Sequence, residues 1–210
     1  MPTNTGIWSR FLRIIYWVPP PPLVDRGYGL IYDTERDITW LQDVNYAKTV
    51  RRSQDGQLTW PEATAWVAEL NYRGIRGWRL PTARNPDGSG PATGHDCAGS
   101  EMGHVFLEVF RRHPNIVSFK NSKLPCVYWT GTEANAEEAY ALSVTTIRQG
   151  TLWKDPFAER FPTLPLEGPV LAWPVHDGDV AAELRSSWLR RAISWTTTLF
   201  RQSASGAQRS

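Results

Sequence analysis

The densest group of reactive side chains lies between positions 95 and 104: His95, Asp96, Cys97, Glu101 and His104. Imidazole, thiolate and carboxylate are the donor set of zinc and other transition-metal sites. Glu101 and His104 stand three residues apart and share a face if the segment is helical, so His95, Glu101 and His104 are the candidate metal ligands. Cys97 beside Asp96 and His95 also supplies the groups of a nucleophilic centre. Adjacent side chains point in different directions, however, and a working triad is assembled from distant parts of a chain. A structural reading accounts for the same residues. Ser100 caps a helix, Glu101 complements the positive end of its dipole, and His104 turns inward and is hydrogen-bonded. That reading is preferred, and it assigns no catalytic residue, metal or cofactor.

Cys97 and Cys126 are the only cysteines, too few for a disulfide scaffold or a four-cysteine metal site. Both sit beside loop-like sequence. A bridge would close the 28 residues between them and stabilise by about 3 kcal/mol in the loop-entropy model. Two separate buried thiols are the equal alternative. The turns around Gly88 and Gly90 and the run Asp177-Gly178-Asp179 lack the spacings of phosphate and calcium loops.

Short elements must position these groups. The 210 residues include 16 glycines, 16 prolines and 11 tryptophans. Glycine and proline punctuate the chain too often for a helical bundle, and tryptophans fill a core that long helices do not supply. Gly29-Leu30-Ile31-Tyr32-Asp33 and Ile38-Thr39-Trp40-Leu41 read as a hairpin turning at 34–37. Thr59-Trp60-Pro61-Glu62 is a capping-box pattern, and Ala63, Trp66, Val67 and Leu70 follow it at helical spacing. Residues 83–99 form a long polar loop. A second helix follows, capped by Ser100, with Met102, Val105, Phe106, Val109 and Phe110 as its apolar stripe. Further strands are predicted at 127–130, 139–144 and 170–175, which makes the fold class α+β.

The net charge of +2 hides an uneven distribution. Residues 1–24 carry +2 and residues 180–210 carry +4, which leaves −4 on residues 25–179. No lysine-rich run, zinc-finger spacing or RNA-binding aromatic motif accompanies the basic ends, so nucleic acid is not an expected partner. The mean hydropathy of −0.41 and the lack of an apolar run near the roughly 20 residues a spanning helix needs exclude an ordinary multispan membrane protein. As a helix, residues 7–18 put Phe11, Ile14, Ile15 and Val18 on one side and Arg10, Arg13 and Trp17 on another, the pattern of an interfacial anchor. A segment folded back onto the domain is the alternative. Pro19-Pro20-Pro21-Pro22 follows as a stiff spacer. At the other end Asp179 caps a predicted helix over 180–202, with Leu184, Trp188, Ala192, Trp195 and Leu199 on one face, Leu189, Ile193 and Phe200 widening it, and a basic side. Trp8, Arg10, Phe11, Arg13 and Trp17, with Arg185, Trp188, Arg190, Arg191, Trp195 and Phe200, are the candidate docking residues. The organisation is an anchor and spacer over 1–24, a domain over 25–179, a basic amphipathic helix over 180–202 and a disordered tail over 203–210.

Seven blocks in order carry a resemblance: Gly29-Leu30-Ile31-Tyr32-Asp33, Ile38-Thr39-Trp40-Leu41-Gln42-Asp43, Leu58-Thr59-Trp60, Gly77-Trp78-Arg79-Leu80-Pro81-Thr82, Gly99-Ser100-Glu101-Met102-Gly103-His104, Tyr128-Trp129-Thr130-Gly131-Thr132-Glu133 and Ala172-Trp173-Pro174-Val175. Over residues 27–179 the chain resembles the Lcl C-terminal domain family of bacteria. The resemblance implies a C-type-lectin-like fold, related to the formylglycine-generating-enzyme group: a twisted antiparallel sheet, two flanking helices and long loops. It further implies that Trp78, Leu80, Trp129 and Trp173 are core residues. His176 stands where the family has an arginine, so that arginine's ion pair or anion contact is not carried over. The copper-dependent enzymes of the related group use a cysteine pair near the C-terminal end, and no cysteine follows Cys126.

The expected function is a non-catalytic accessory subunit whose basic, Trp-bearing ends dock to a membrane-protein complex or an anionic membrane surface. The alternative is an adhesin-like module whose loops at 83–99 and 145–168 hold a polysaccharide. Family habit and the Cys97 to Cys126 bridge point to an oxidising, exported compartment, whereas the lack of a recognisable signal peptide points to the cytoplasm. The periplasmic or exported side of a membrane is favoured, with the first 18 residues as an uncleaved anchor.

Overall fold

The computed structural model describes residues 21–122, 124–157, 168–182 and 184. The candidate docking residues Trp8, Arg10, Phe11, Arg13, Trp17, Arg185, Trp188, Arg190, Arg191, Trp195 and Phe200 lie outside them. In chain order the elements are β1 (Leu23–Gly27), β2 (Leu30–Asp33), β3 (Ile38–Leu41), α1 (Tyr46–Thr49) and α2 (Trp60–Glu69). Next, α3 (Glu101–Gly103) passes through a π-helical stretch (His104–Val109) into α4 (Phe110–Arg112). The chain then forms β4 (Val127–Glu133), β5 (Glu138–Ser143), β6 (Arg148–Trp153), β7 (Val170–Leu171) and β8 (Val175–Asp177).

The architecture is α+β, with two four-stranded sheets ordered β1-β2-β3-β8 and β6-β5-β4-β7. All pairs are antiparallel except β4 with β7. The hairpin expected from the sequence is present, with Asp33 opposite Ile38. Its 34–37 turn forms because the Asp33 carboxylate accepts the N–H groups of Glu35 and Arg36, both at 3.0 Å, the local pattern that makes aspartate a turn former. The helix expected after Thr59 is α2, and both halves of its capping box are made. The helix expected after Ser100 is also present, capped by that hydroxyl.

Three features differ from the sequence reading. The strand β1 lies partly inside the 1–24 spacer, because Leu23 is buried and pairs with Asp33. Residues 145–168, read as a loop, contain β6. Its polar run Arg148-Gln149-Gly150-Thr151 hides a buried Gln149 that donates to the carbonyls of Ala83 and Ala92. The single strand expected at 170–175 is two short strands in different sheets. Ala172-Trp173-Pro174 carries the chain across, and Pro174 has no N–H to continue a ladder.

Trp173 sits at that crossing and is fully buried. Its ring centroid is 4.3 Å from Trp40 and 4.9 Å from Phe119, and its indole N–H donates to the Leu41 carbonyl at 2.8 Å. One apolar cluster joins α2 to Trp78, Leu80 and Trp129, and a second joins the α3 to α4 helix to Ile31, Trp40, Leu142 and Trp173. The core placement expected of Trp78, Leu80, Trp129 and Trp173 is therefore what the structure has. Val180 and Ala181 are buried and Leu184 packs on the first cluster, so the segment read as a separate helix from 180 starts inside the core. Among the described residues no helix is long and apolar enough to cross a membrane.

Candidate functional site

The reactive residues between 95 and 104 do not converge. His95 is exposed, with Nδ1 3.2 Å from the Ile147 carbonyl. Glu101 turns away to Arg79, which donates through Nη1 and Nη2 at 2.9 and 2.7 Å, and it also accepts the Thr82 N–H at 2.8 Å. Arg79 reaches on to Asp177 through Nε at 3.0 Å and Nη2 at 2.6 Å. Burial works against its charge, but Glu101 and then Asp177 outweigh it and hold the guanidinium pKa up. Such a bidentate pair fixes geometry, and here it clamps the start of α3 to the strand-like 78–82 segment. Among the described residues, no three His, Cys, Asp or Glu side chains are placed to hold a metal ion. His95, Glu101 and His104, the weaker candidates for ligands, are not brought together, because Glu101 and His104 are drawn to different partners.

Cys97 and Cys126 are both buried free thiols, so of the two expectations the structure has the separate thiols and not the bridge. Burial raises the pKa of each, which leaves little thiolate for chemistry at neutral pH. His176, in the arginine's place, stands 2.9 Å from the Arg76 carbonyl and packs edge-on to Trp78.

His104 faces the 34–37 turn. Its Nε2 is 3.2 Å from Glu35 Oε2 and 3.7 Å from Asp33 Oδ2. Arg112, at the end of α4, donates to the same Glu35 carboxylate at 3.0 and 3.4 Å. Asp33 is fully buried, and burial pushes its pKa up to about 6 against the two backbone N–H groups that hold it down. Burial, then the charge of Arg36, lowers the pKa of His104.

Both ends of the core come to this turn. Thr34 N–H donates to the Pro22 carbonyl at 2.9 Å, and Gly178 N–H donates to the Asp37 carbonyl at 2.7 Å. Leu23 lies opposite Asp33 at one flank and Asp177 opposite Ile38 at the other. A polar chain binds the two exits: Arg26 pairs with Asp179 at 2.8 Å and lies 5.0 Å over the Tyr32 ring, whose hydroxyl donates to Asp37 at 2.7 Å. That hydrogen bond, with burial, pushes the Tyr32 pKa up to about 12.

Two further surfaces complete the picture. A cleft of about 330 Å³ is lined by Phe106, Phe110, Phe119, Cys126, Tyr128 and Trp173 among others, a size at the lower limit for small-molecule pockets and suited to one or two apolar groups. The 83–99 loop makes hydrogen bonds within itself and to β6: Arg84 donates to the carbonyls of Gly88 and Gly90, and Gly94 bridges to Gln149. Asp33, Glu35, Arg79 and Arg112 were not identified from the sequence, because their partners lie 22 to 98 residues away. The aspartate before a turn was the single local signal. Comparison with protein-family models, curated proteins and solved structures finds no match.

Proposed function

We propose that this protein is a non-catalytic accessory subunit that docks to a membrane or a membrane-protein complex through its two basic, tryptophan-bearing ends. One observation carries the reading: β1 begins and β8 ends beside the same 34–37 turn, which is hydrogen-bonded to Pro22 on one side and Gly178 on the other, although beyond Gly178 the chain stays on the core through the buried Val180 and Ala181. Two weak anchors carried by one core engage a surface together, and the second binds at the high effective concentration set by the first. Aromatic side chains among arginines are suited to that boundary, because the rings enter the interface while the guanidinium groups meet anionic headgroups or an acidic partner. The core is read as a C-type-lectin-like variant of the Lcl C-terminal kind, acting as a platform on the exported side of a bacterial membrane.

The test is partition of the full-length chain on native membranes, compared with full-length variants Trp188→Ala/Trp195→Ala and Arg190→Glu/Arg191→Glu. Retention of the parent with a defined complex after mild detergent extraction, and loss of retention in both variants, is the expected result. A freely soluble parent chain removes the docking reading, and glycan-array binding through the loops would then favour a polysaccharide module.

A further inference from the structure

We infer that Asp33 and His104 form an acid-engaged latch that ties the 34–37 turn, and with it the start of β1 and the end of β8, to the α3 to α4 helix. The latch rests on the docking reading only for what it would regulate; the pair itself stands on the packing of the core.

The geometry is two buried polar atoms near each other, neither of which makes a hydrogen bond. Asp33 uses Oδ1 to accept two turn N–H groups, while Oδ2 has no hydrogen-bond partner. His104 Nε2 makes no hydrogen bond either; it lies 3.7 Å from that oxygen and 3.2 Å from Glu35 Oε2, a carboxylate that Arg112 already engages. Asp33 is wholly buried and His104 nearly so. Unpaired buried groups are costly and rare, and each one in a folded protein needs an explanation. In the tautomer that carries its proton on Nδ1, one proton placed on Oδ2 satisfies both atoms, because the carboxylic acid donates and the bare Nε2 accepts. That proton also removes the buried anion, so the turn and the helix gain a hydrogen bond and lose a desolvated charge in the same step.

The surrounding charges decide where the proton goes. Arg36 from the turn and Arg112 from α4 oppose a positive His104, as does burial, whereas Glu35 and Glu108 favour it. The balance lowers the imidazole pKa, while burial raises that of Asp33 to about 6. Acidification therefore loads the aspartate and leaves the histidine as acceptor. Since the folded pKa of Asp33 exceeds its ordinary 3.8, its contribution is complete in acid and is lost as pH rises through about 6.

The experiment is carried out on the full chain without membranes. Carboxyl carbon shifts follow the titration of Asp33, and hydrogen exchange of the Thr34 and Gly178 amides, corrected for intrinsic rates, follows the tightness of the turn. Asp33 should titrate near pH 6, and both amides should gain about fivefold protection on acidification through that midpoint, the factor one net hydrogen bond supplies. Asp33→Asn keeps the Oδ1 acceptor and offers a permanent N–H to Nε2, so protection should be high at both pH values. His104→Phe removes the acceptor but not the buried carboxylate, so protection should rise on acidification by less than in the parent. Titration of Asp33 at its ordinary 3.8, or pH-independent protection in the parent chain, overturns the latch even if Asp33→Asn fails to fold. Neither readout involves docking, so failure of the membrane experiment is distinguishable from failure of this one.

Discussion

Glu101 offers the sharpest division between a structural and a chemical role. Its side chain is 11% exposed and accepts three hydrogen bonds, two from Arg79 and one from Thr82 N–H. In Glu101→Gln the shape is kept, but one carboxylate oxygen becomes an NH₂ that faces an Arg79 N–H, and the charge that offsets the guanidinium is lost. Breaking a buried ion pair by neutralising one partner costs about 3–5 kcal/mol. Arg79 is 35% exposed and keeps Asp177, so a loss of about 2–3 kcal/mol is expected here. For a domain of this size that lowers the melting temperature by about 4–12 °C. Thermal unfolding by circular dichroism and urea titration with an unchanged m-value measure it. The control is Asp177→Asn: its side chain is 76% exposed, and solvent screening holds the cost below about 1 kcal/mol. A Glu101→Gln protein within about 0.5 kcal/mol of the parent would refute the clamp and return Glu101 to the pool of residues available for chemistry.

Trp173→Ala removes the indole at the crossing of the two sheets, along with its hydrogen bond to Leu41; a loss of about 3–5 kcal/mol is expected by urea unfolding. Thr59→Ala breaks the capping box of α2 and should cost about 1 kcal/mol, a value that an unchanged melting temperature would contradict. Cys97 and Cys126 are buried with raised pKa values, so Ellman's reagent should label neither thiol in the folded protein and both in denaturant; fast native labelling counts against their placement. In His104→Phe only Asp33 of the facing pair titrates. Its rise from 3.8 to about 6 on folding should then make the variant up to about 3 kcal/mol more stable in acid than at neutral pH, an advantage lost as pH rises through the folded value. In the parent chain the lowered pKa of His104 works in the opposite sense, because unfolding lets that imidazole take up a proton.

The strands β2 and β3, the capped starts of α2 and α3, the turn at 34–37 and the burial of Trp78, Trp129 and Trp173 were all legible in the sequence. The elements rest on local rules, namely alternation, capping chemistry and aspartate before a turn, whereas the burial of the three tryptophans was expected from the resemblance of the blocks that hold them. Two strands were not legible for equally physical reasons. The start of β1 follows a proline run, and β6 is built on polar residues whose burial depends on carbonyls at Ala83 and Ala92.

The candidate site divides in the same way. Residue types between 95 and 104 are set by the sequence, and so is the helix start that Ser100 caps. Which partner each one finds is not, because hydrogen bonds and ion pairs depend on distances that only closure of the sheets creates. Glu101 was free to serve a metal until the fold brought Arg79 beside it, and His104 until the hairpin brought Asp33 and Glu35. The ends carry their arginines and tryptophans as a matter of composition. That β1 begins and β8 ends beside one turn is a property of strand order alone, since the two strands flank the same hairpin and run antiparallel to its strands.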